Sequence, residues 1–98
     1  MAVRLRPLAP MFYVYVLYSF KDKKLYIGYT SDLRKRIKRH LSGKTQAMKN
    51  RLPAKLIYYE AFLSKTDALK KEKFYKSGRG HEVLYKILQD SLSQVKAQ

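Results

Sequence analysis

Apolar and polar positions along the chain fall into short blocks with two different periods. Phe12 to Ser19 (FYVYVLYS) is a β-branched and aromatic run that reads as a buried strand, and the polar stretch Phe20-Lys21-Asp22-Lys23 reads as a turn. Lys24 to Thr30 (KLYIGYT) is a second strand, and two such runs with a short polar connection predict a hairpin. Gly28 lies inside this strand, where glycine marks a bulge or the close approach of another group. From Ser31 to Ser42 the period changes to that of a helix. Leu33, Ile37 and Leu41 form its narrow core stripe, Thr30 or Ser31 its cap, Asp32 a charge suited to its positive end, and Gly43 its stop. Gly43 to Pro53 (GKTQAMKNRLP) is basic and aperiodic, either a phosphate-contacting segment or a plain connection. Lys55 to Leu63 (KLIYYEAFL) is a third strand. Ser64 to Asp67 has capping-box spacing with Asp in place of Glu, and opens a helix running to Lys76. Ser77-Gly78-Arg79-Gly80 breaks that helix, and a third helix over His81–Asp90 turns Val83, Leu84, Ile87 and Leu88 inward. The order β-β-α-β-α-α predicts an α+β domain, a small sheet packed by helices. Residues 1–10, with Pro7 and Pro10, read as a flexible leader, 11–90 as one domain, and 91–98 as a polar tail that frays.

Charge narrows the function. The 98 residues hold 22 Lys and Arg against 7 Asp and Glu, a net charge of +15. Such self-repulsion is best tolerated when a polyanion is the usual partner, and phosphate backbone is the first candidate. A membrane surface would call for a basic amphipathic helix with a spare apolar face or a lipid signal. No lipidation motif is present, and the apolar faces are needed for the core. No run approaches the roughly 20 apolar residues of a membrane span. The first ten residues lack the apolar region of a secretory signal. Without cysteine, disulfides, zinc–thiolate sites and thiol catalysis are excluded, as a reducing cytoplasm would allow. There is no Gly-rich phosphate loop and no G-x-S-x-G nucleophile turn.

Three groups of residues stand out of pattern. Glu72 falls inside the inward stripe that Ala68, Leu69 and Tyr75 mark on the second helix. A carboxylate there needs a partner, either a nearby Lys or Arg or a metal ion. Arg36 and His40 lie four apart on one face of the first helix, either a phosphate-holding pair or part of a solvated basic face. The nine tyrosines include Tyr13 and Tyr15 on one face of the first strand, and Tyr26 shares a face of the second with Gly28 and Thr30. Most must be packing, but one pair of phenols can meet across the hairpin beside the space at Gly28.

These residues resemble the GIY-YIG nuclease superfamily. Tyr13-Val14-Tyr15, ten residues, then Tyr26-Ile27-Gly28 is similar to its paired motifs, with Tyr13 in place of the first glycine. Arg36 falls where the superfamily carries an arginine, and His40 follows one turn later as in homing-endonuclease-like members. Glu72, in Asp67-Ala68-Leu69-Lys70-Lys71-Glu72, resembles its metal-binding glutamate. The stretch from Phe12 to Leu88 resembles the small stand-alone bacterial members grouped as UPF0213, the YhbQ-like proteins. Two further departures are Tyr29, where the repair-nuclease branch has lysine, and Asn50, the one asparagine, which precedes Glu72 rather than following it.

The resemblance implies a three-stranded antiparallel sheet flanked by helices, and metal-dependent hydrolysis of DNA phosphodiesters, with DNA favoured over RNA and structured or damaged DNA as substrate. Tyr26 would act as general base; a free phenol ionises at about pH 10, so nearby cations must favour its phenolate. Tyr15 would orient it, Arg36 would stabilise transition-state charge, and His40 would position phosphate or water. Glu72 would hold one Mg²⁺ or Mn²⁺. The groups must converge in the fold. Arg34, Lys35, Lys38, Arg39, Lys44, Lys49 and Arg51 are the candidate nucleic-acid contacts. No recognition module is visible, so backbone charge is expected to dominate affinity, with further recognition drawn from a second copy of the chain or a recruiting protein. The competing reading is a nucleic-acid-binding module that does not cut.

Overall fold

A computed structural model describes residues 10–98, so all of the expected leader except Pro10 lies outside the described residues. The chain runs β1 (Phe12–Ser19), β2 (Leu25–Thr30), α1 (Leu33–Leu41), β3 (Ala54–Phe62), α2 (Lys65–Lys76), α3 (Gly78–Ile87) and α4 (Gln89–Lys96). The three strands form one antiparallel sheet in the order β2-β1-β3, so the α+β class holds. No helix among the described residues is long and apolar enough to cross a membrane.

The central strand explains why its sequence shows no alternation. β1 is paired on both edges and covered on both faces, so Val14 to Ser19 are all buried. Val14, Val16 and Tyr18 face a core completed by Ala68 and Tyr75 of α2, Leu84 of α3, and Leu88, Leu92 and Val95. Tyr15 and Leu17 face the other way, into a smaller core with Met48, against which Leu33 and Ile37 of α1 pack. The sheet thus separates a helical layer of α2, α3 and α4 from a thinner layer of α1 and the loop after it.

Several boundaries differ from the sequence reading. Asp32, rather than Thr30 or Ser31, caps α1 by accepting from the Lys35 amide at 3.1 Å, while Thr30 Oγ1 accepts from the Asp32 amide at 3.1 Å. Leu41 ends the expected core stripe but is 40 % exposed, and the fully buried side chain of α1 is His40. The aperiodic loop after α1 is anchored by buried Thr45 and Met48. Ser64 caps α2 by accepting from the Asp67 amide at 3.3 Å. The expected break at Ser77–Gly80 shrinks to Ser77, which accepts from the Gly80 amide and caps α3. The tail does not fray. Apart from Leu92 and Val95, residues 91–98 are mostly polar, yet those two side chains fall on one face of α4 and close the main core.

Two outcomes follow. Leu92→Ala should cost about 2–5 kcal/mol in urea denaturation, which a frayed tail could not produce. A Cβ on Gly80 would collide with the Phe74 carbonyl, whereas Gly78 has open space. Gly80→Ala should therefore lower stability by about 1–3 kcal/mol, while Gly78→Ala should raise it by up to about 1 kcal/mol. Equal effects at the two positions would show that α2 and α3 do not cross so closely.

Candidate active site

The site grows from the register of the hairpin. Tyr15 stands opposite Gly28 on β2 and opposite Tyr59 on β3. Any side chain on Gly28 would collide with the Tyr15 phenol. The space at Gly28 is therefore filled by the neighbouring ring rather than left open. Tyr26, two residues earlier on the same face, brings its ring to 6.3 Å from that of Tyr15. α1 then crosses this face and presents Arg36 and His40. The His40 ring packs 5.5 Å from Tyr15 and 5.2 Å from Tyr26.

Hydrogen bonds lock the buried part. The Tyr15 hydroxyl lies 2.6 Å from His40 Nε2, and His40 Nδ1 lies 2.7 Å from Thr45 Oγ1. Burial pushes the Tyr15 phenol up to about 12, against the opposing pull of the Arg36 guanidinium, while the Tyr26 phenol adds to the rise. Burial also lowers His40 to about 4, and the charges of Arg36 and Arg39 push in the same direction. At neutral pH the phenol is protonated and the imidazole neutral. One ring nitrogen then donates and the other accepts, so either tautomer is held at both ends. Arg36 is held more firmly cationic, chiefly by the Tyr15 hydroxyl.

Tyr15, Tyr26, Arg36 and His40 are thus brought together, but they divide into two kinds. Tyr15 and His40 are wholly buried, while Tyr26 and Arg36 are half-buried and reach the surface. His40 has no nitrogen free for a phosphate, contrary to the sequence reading, because Tyr15 and Thr45 occupy both. Arg36 lines a 170 Å³ depression with Thr30, Asp32, Lys35 and Arg39. The motif residues Val14 and Ile27 point into the main core, and Tyr13 lies on the Tyr15 face.

Glu72 belongs to the other layer. α2 packs on the Val14 and Val16 face, against β1 and β2, and the half-buried Glu72 carboxylate accepts from Lys76 Nζ at 3.0 Å. The ion pair that the sequence left open is thus formed. Leu69, expected inward beside it, is 40 % exposed. Among the described residues no three His, Cys, Asp or Glu side chains are grouped to hold a metal. The donor chemistry fits a cation that keeps most of its water and takes one carboxylate, and does not fit an all-protein cage.

Arg34, Lys35, Lys38, Arg39, Lys44 and Lys49 are exposed, and none joins an ion pair among the described residues. Arg51 is different. Its guanidinium donates to Asp22 at 2.6 Å, and its carbonyl accepts from Ser19 Oγ at 2.6 Å. That bond to Arg51 holds Asp22 down at about 2. Arg51 ties the basic loop to the hairpin turn and is not a free phosphate contact. Thr45 is the residue that sequence reasoning missed. It lies in an aperiodic loop, where no pattern distinguishes a buried threonine from an exposed one.

Comparison with known proteins identifies the family. The GIY-YIG catalytic domain matches residues 11–84. A UPF0213 protein of Streptococcus pyogenes serotype M5 (strain Manfredo) is 48 % identical over 65 residues, covering 65 % of this chain and 70 % of its own length. A UPF0213 protein of the serotype M3 strain SSI-1 matches to the same extent. The UPF0213 protein of Bacillus halodurans, solved by NMR in solution, is 40 % identical with a TM-score of 0.51, over 79 % of this chain and 84 % of that one. With the paired tyrosine motifs meeting across one hairpin and the arginine helix lying over them, the chain belongs to the GIY-YIG family and to its UPF0213 group.

Proposed function

We propose that the chain is a divalent-metal-dependent endonuclease that hydrolyses phosphodiester bonds in structured or damaged DNA. The observation that carries this reading is that the half-buried Tyr26 and Arg36 stand beside one another over a locked, buried Tyr15–His40–Thr45 chain. A module that only binds phosphate needs the cations but not this arrangement beneath them.

In this reading Arg36 takes the non-bridging oxygens of the scissile phosphate, where its fixed charge offsets the charge that grows in the transition state. Lys35 and Arg39, beside it in the depression, hold the flanking backbone. Tyr26 acts in its phenolate form, taking a proton from the attacking water to become the neutral phenol and returning that proton to solvent after cleavage. The water oxygen bonds to phosphorus, the ester P–O bond opposite it breaks, and the leaving oxygen takes a proton from solvent. Tyr15 and His40 touch no substrate and are positioning residues: they fix the floor against which Tyr26 and Arg36 are set. Glu72 would hold Mg²⁺ or Mn²⁺, which supplies Lewis-acid stabilisation of phosphate oxygens when bound. β2 is an edge strand, with the His40 side chain of α1 packed on its Tyr26 ring at one face and α2 packed on the other. A phosphate lying across that edge is the natural bridge between the two layers. Two observations favour the non-cutting alternative: Glu72 lies in the layer opposite Tyr26 and Arg36, so it does not join their cluster, and a metal must displace the Lys76 ammonium paired with it.

Cleavage of single-stranded, duplex and branched DNA, with RNA alongside, decides between them. Mg²⁺- or Mn²⁺-dependent cutting should be abolished by EDTA. It should fall about a hundredfold or more in each of Tyr26→Phe, Arg36→Ala and Glu72→Gln. Salt-sensitive binding without cutting, equal in wild type and variants, would instead establish the binding module.

His40 makes a separate prediction through its lowered pKa. The folded state disfavours the imidazolium while the unfolded chain accepts it. The resulting stability is complete above the ordinary value of 6.5 and is lost as pH falls through about 4. The urea midpoint of wild type should drop across that window by more than that of His40→Gln. A parallel decline of the two would remove the buried neutral histidine from the account.

A further inference from the structure

Among the described residues α1 borders a second opening besides the one at Arg36, and it is the larger of the two. On the β3 flank lies a groove of 660 Å³, lined chiefly by Tyr13 and Tyr59 of the sheet and by Leu33, Arg34, Ile37 and Lys38 of the helix. This volume is within the usual range for a small-molecule site. Tyr59 is 51 % exposed, the most exposed aromatic side chain among the described residues. It stands directly across from Tyr15, so the groove and the candidate active site share one row of the sheet. Tyr13 meets the Tyr59 ring edge-on, with centroids 6.1 Å apart and planes at 65°, which steadies the ring. Leu33, Ile37 and Leu56 are half-buried and give an apolar floor. Arg34 and Lys38, one helical turn apart, are exposed and in no ion pair among the described residues.

A flat aromatic face, an apolar floor and two cations at the rim fit a nucleobase carrying its phosphate. They fit a second copy of the chain poorly, because each copy carries a net +15. We propose that this groove is a base-binding subsite: an unstacked nucleobase stacks on Tyr59, with Arg34 and Lys38 on the adjacent phosphate. The proposal deepens the nuclease reading and rests on nucleic acid being the ligand. Asp32 lines both this groove and the depression at Arg36, so a strand rounding the N-terminal end of α1 engages both. A base held in a duplex must first leave its stack at a cost, so the subsite selects strands with an unpaired base near the scissile phosphate.

The test is metal-free equilibrium binding, in EDTA, of a single-stranded oligonucleotide carrying 2-aminopurine and of its duplex. Wild type should quench the fluorescence of the single strand. Tyr59→Ala should abolish the quench and weaken single-strand binding roughly tenfold, while leaving duplex affinity unchanged. Tyr59→Phe should behave as wild type, since it keeps the stacking face. Arg34→Ala with Lys38→Ala should weaken the single strand more than the duplex, which covers the case in which Tyr59→Ala does not fold. Folded variants that bind both ligands as wild type does, or that lose both equally, overturn the subsite; self-association lost in Tyr59→Ala would instead assign the groove to a second copy. Cleavage with Mg²⁺ is scored separately: no cutting with this binding pattern intact sinks the nuclease reading and leaves the subsite standing.

Discussion

The Tyr15 hydroxyl is the constraint on which the site depends. A tyrosine at the centre of a three-stranded sheet buries a large ring, but its hydroxyl must find a partner away from water. His40 supplies it at 2.6 Å, and His40, buried in turn, needs Thr45 at 2.7 Å. This chain of obligations fixes three pieces of backbone that are distant in sequence: the central strand, the end of α1 and the loop beyond it. With α1 fastened at its last turn by His40 and capped at its first by Asp32, the position of Arg36 midway along it is determined. Gly28 is the matching constraint on the strand side, because only a missing Cβ lets the Tyr15 phenol lie across β2.

The two layers use their polar groups differently. Beneath the sheet, the Tyr75 hydroxyl donates to the Glu60 carboxylate, and Lys71 approaches the same carboxylate at 3.7 Å, tying α2 to β3. Burial, with Glu60 beside it, pushes the Tyr75 phenol well above its ordinary value, so it remains a donor. That network holds the layer carrying Glu72. Above the sheet, the Tyr15 chain holds the layer carrying Arg36. The two layers on either side of the sheet are therefore braced separately.

The sequence showed the elements wherever one face of a periodic segment decided them. All three strands, α1 and α2 were legible to within two residues: Leu33, Ala68 and Tyr75 mark the inward faces of the helices, while β1, buried on both faces, was legible from its run of β-branched and aromatic residues. α4 was hidden. Its two inward residues, Leu92 and Val95, stand three apart in a polar stretch, too few to show a period, and only the main core reveals that they complete it. Within the site, strand period put Tyr15 and Tyr26 on definite faces and helix period put Arg36 beside His40, but the resemblance to the GIY-YIG superfamily, not spacing alone, singled these three out. The position of His40 on the Arg36 helix was legible, but its burial and its two hydrogen-bond partners were not. Charge pattern places a histidine among arginines on a solvated face, whereas its real surroundings come from Thr45 and Tyr15, which are remote in sequence. Arg51 was misread for the same reason, since Asp22 lies on a different turn.

The charge of the chain takes its meaning from where the few acids went. Asp22 is spent on Arg51, Asp32 on the start of α1, Glu60 on Tyr75 and Lys71, and Glu72 on Lys76. Each of these is a structural bond. After its cap, α1 carries Arg34, Lys35, Arg36, Lys38 and Arg39 with no acid between them. Helix propensity does not require this, and mutual repulsion along a nine-residue helix works against it. What compensates is the packing of Leu33, Ile37 and His40 onto the sheet, which holds the helix in place whatever its charges do. The fold thus supports a concentrated positive face by means other than ion pairing, leaving those charges free for a polyanion. Arg36 differs from these neighbours in one respect: among the five cations it alone is half-buried, with the Tyr15 and Tyr26 phenols beside it.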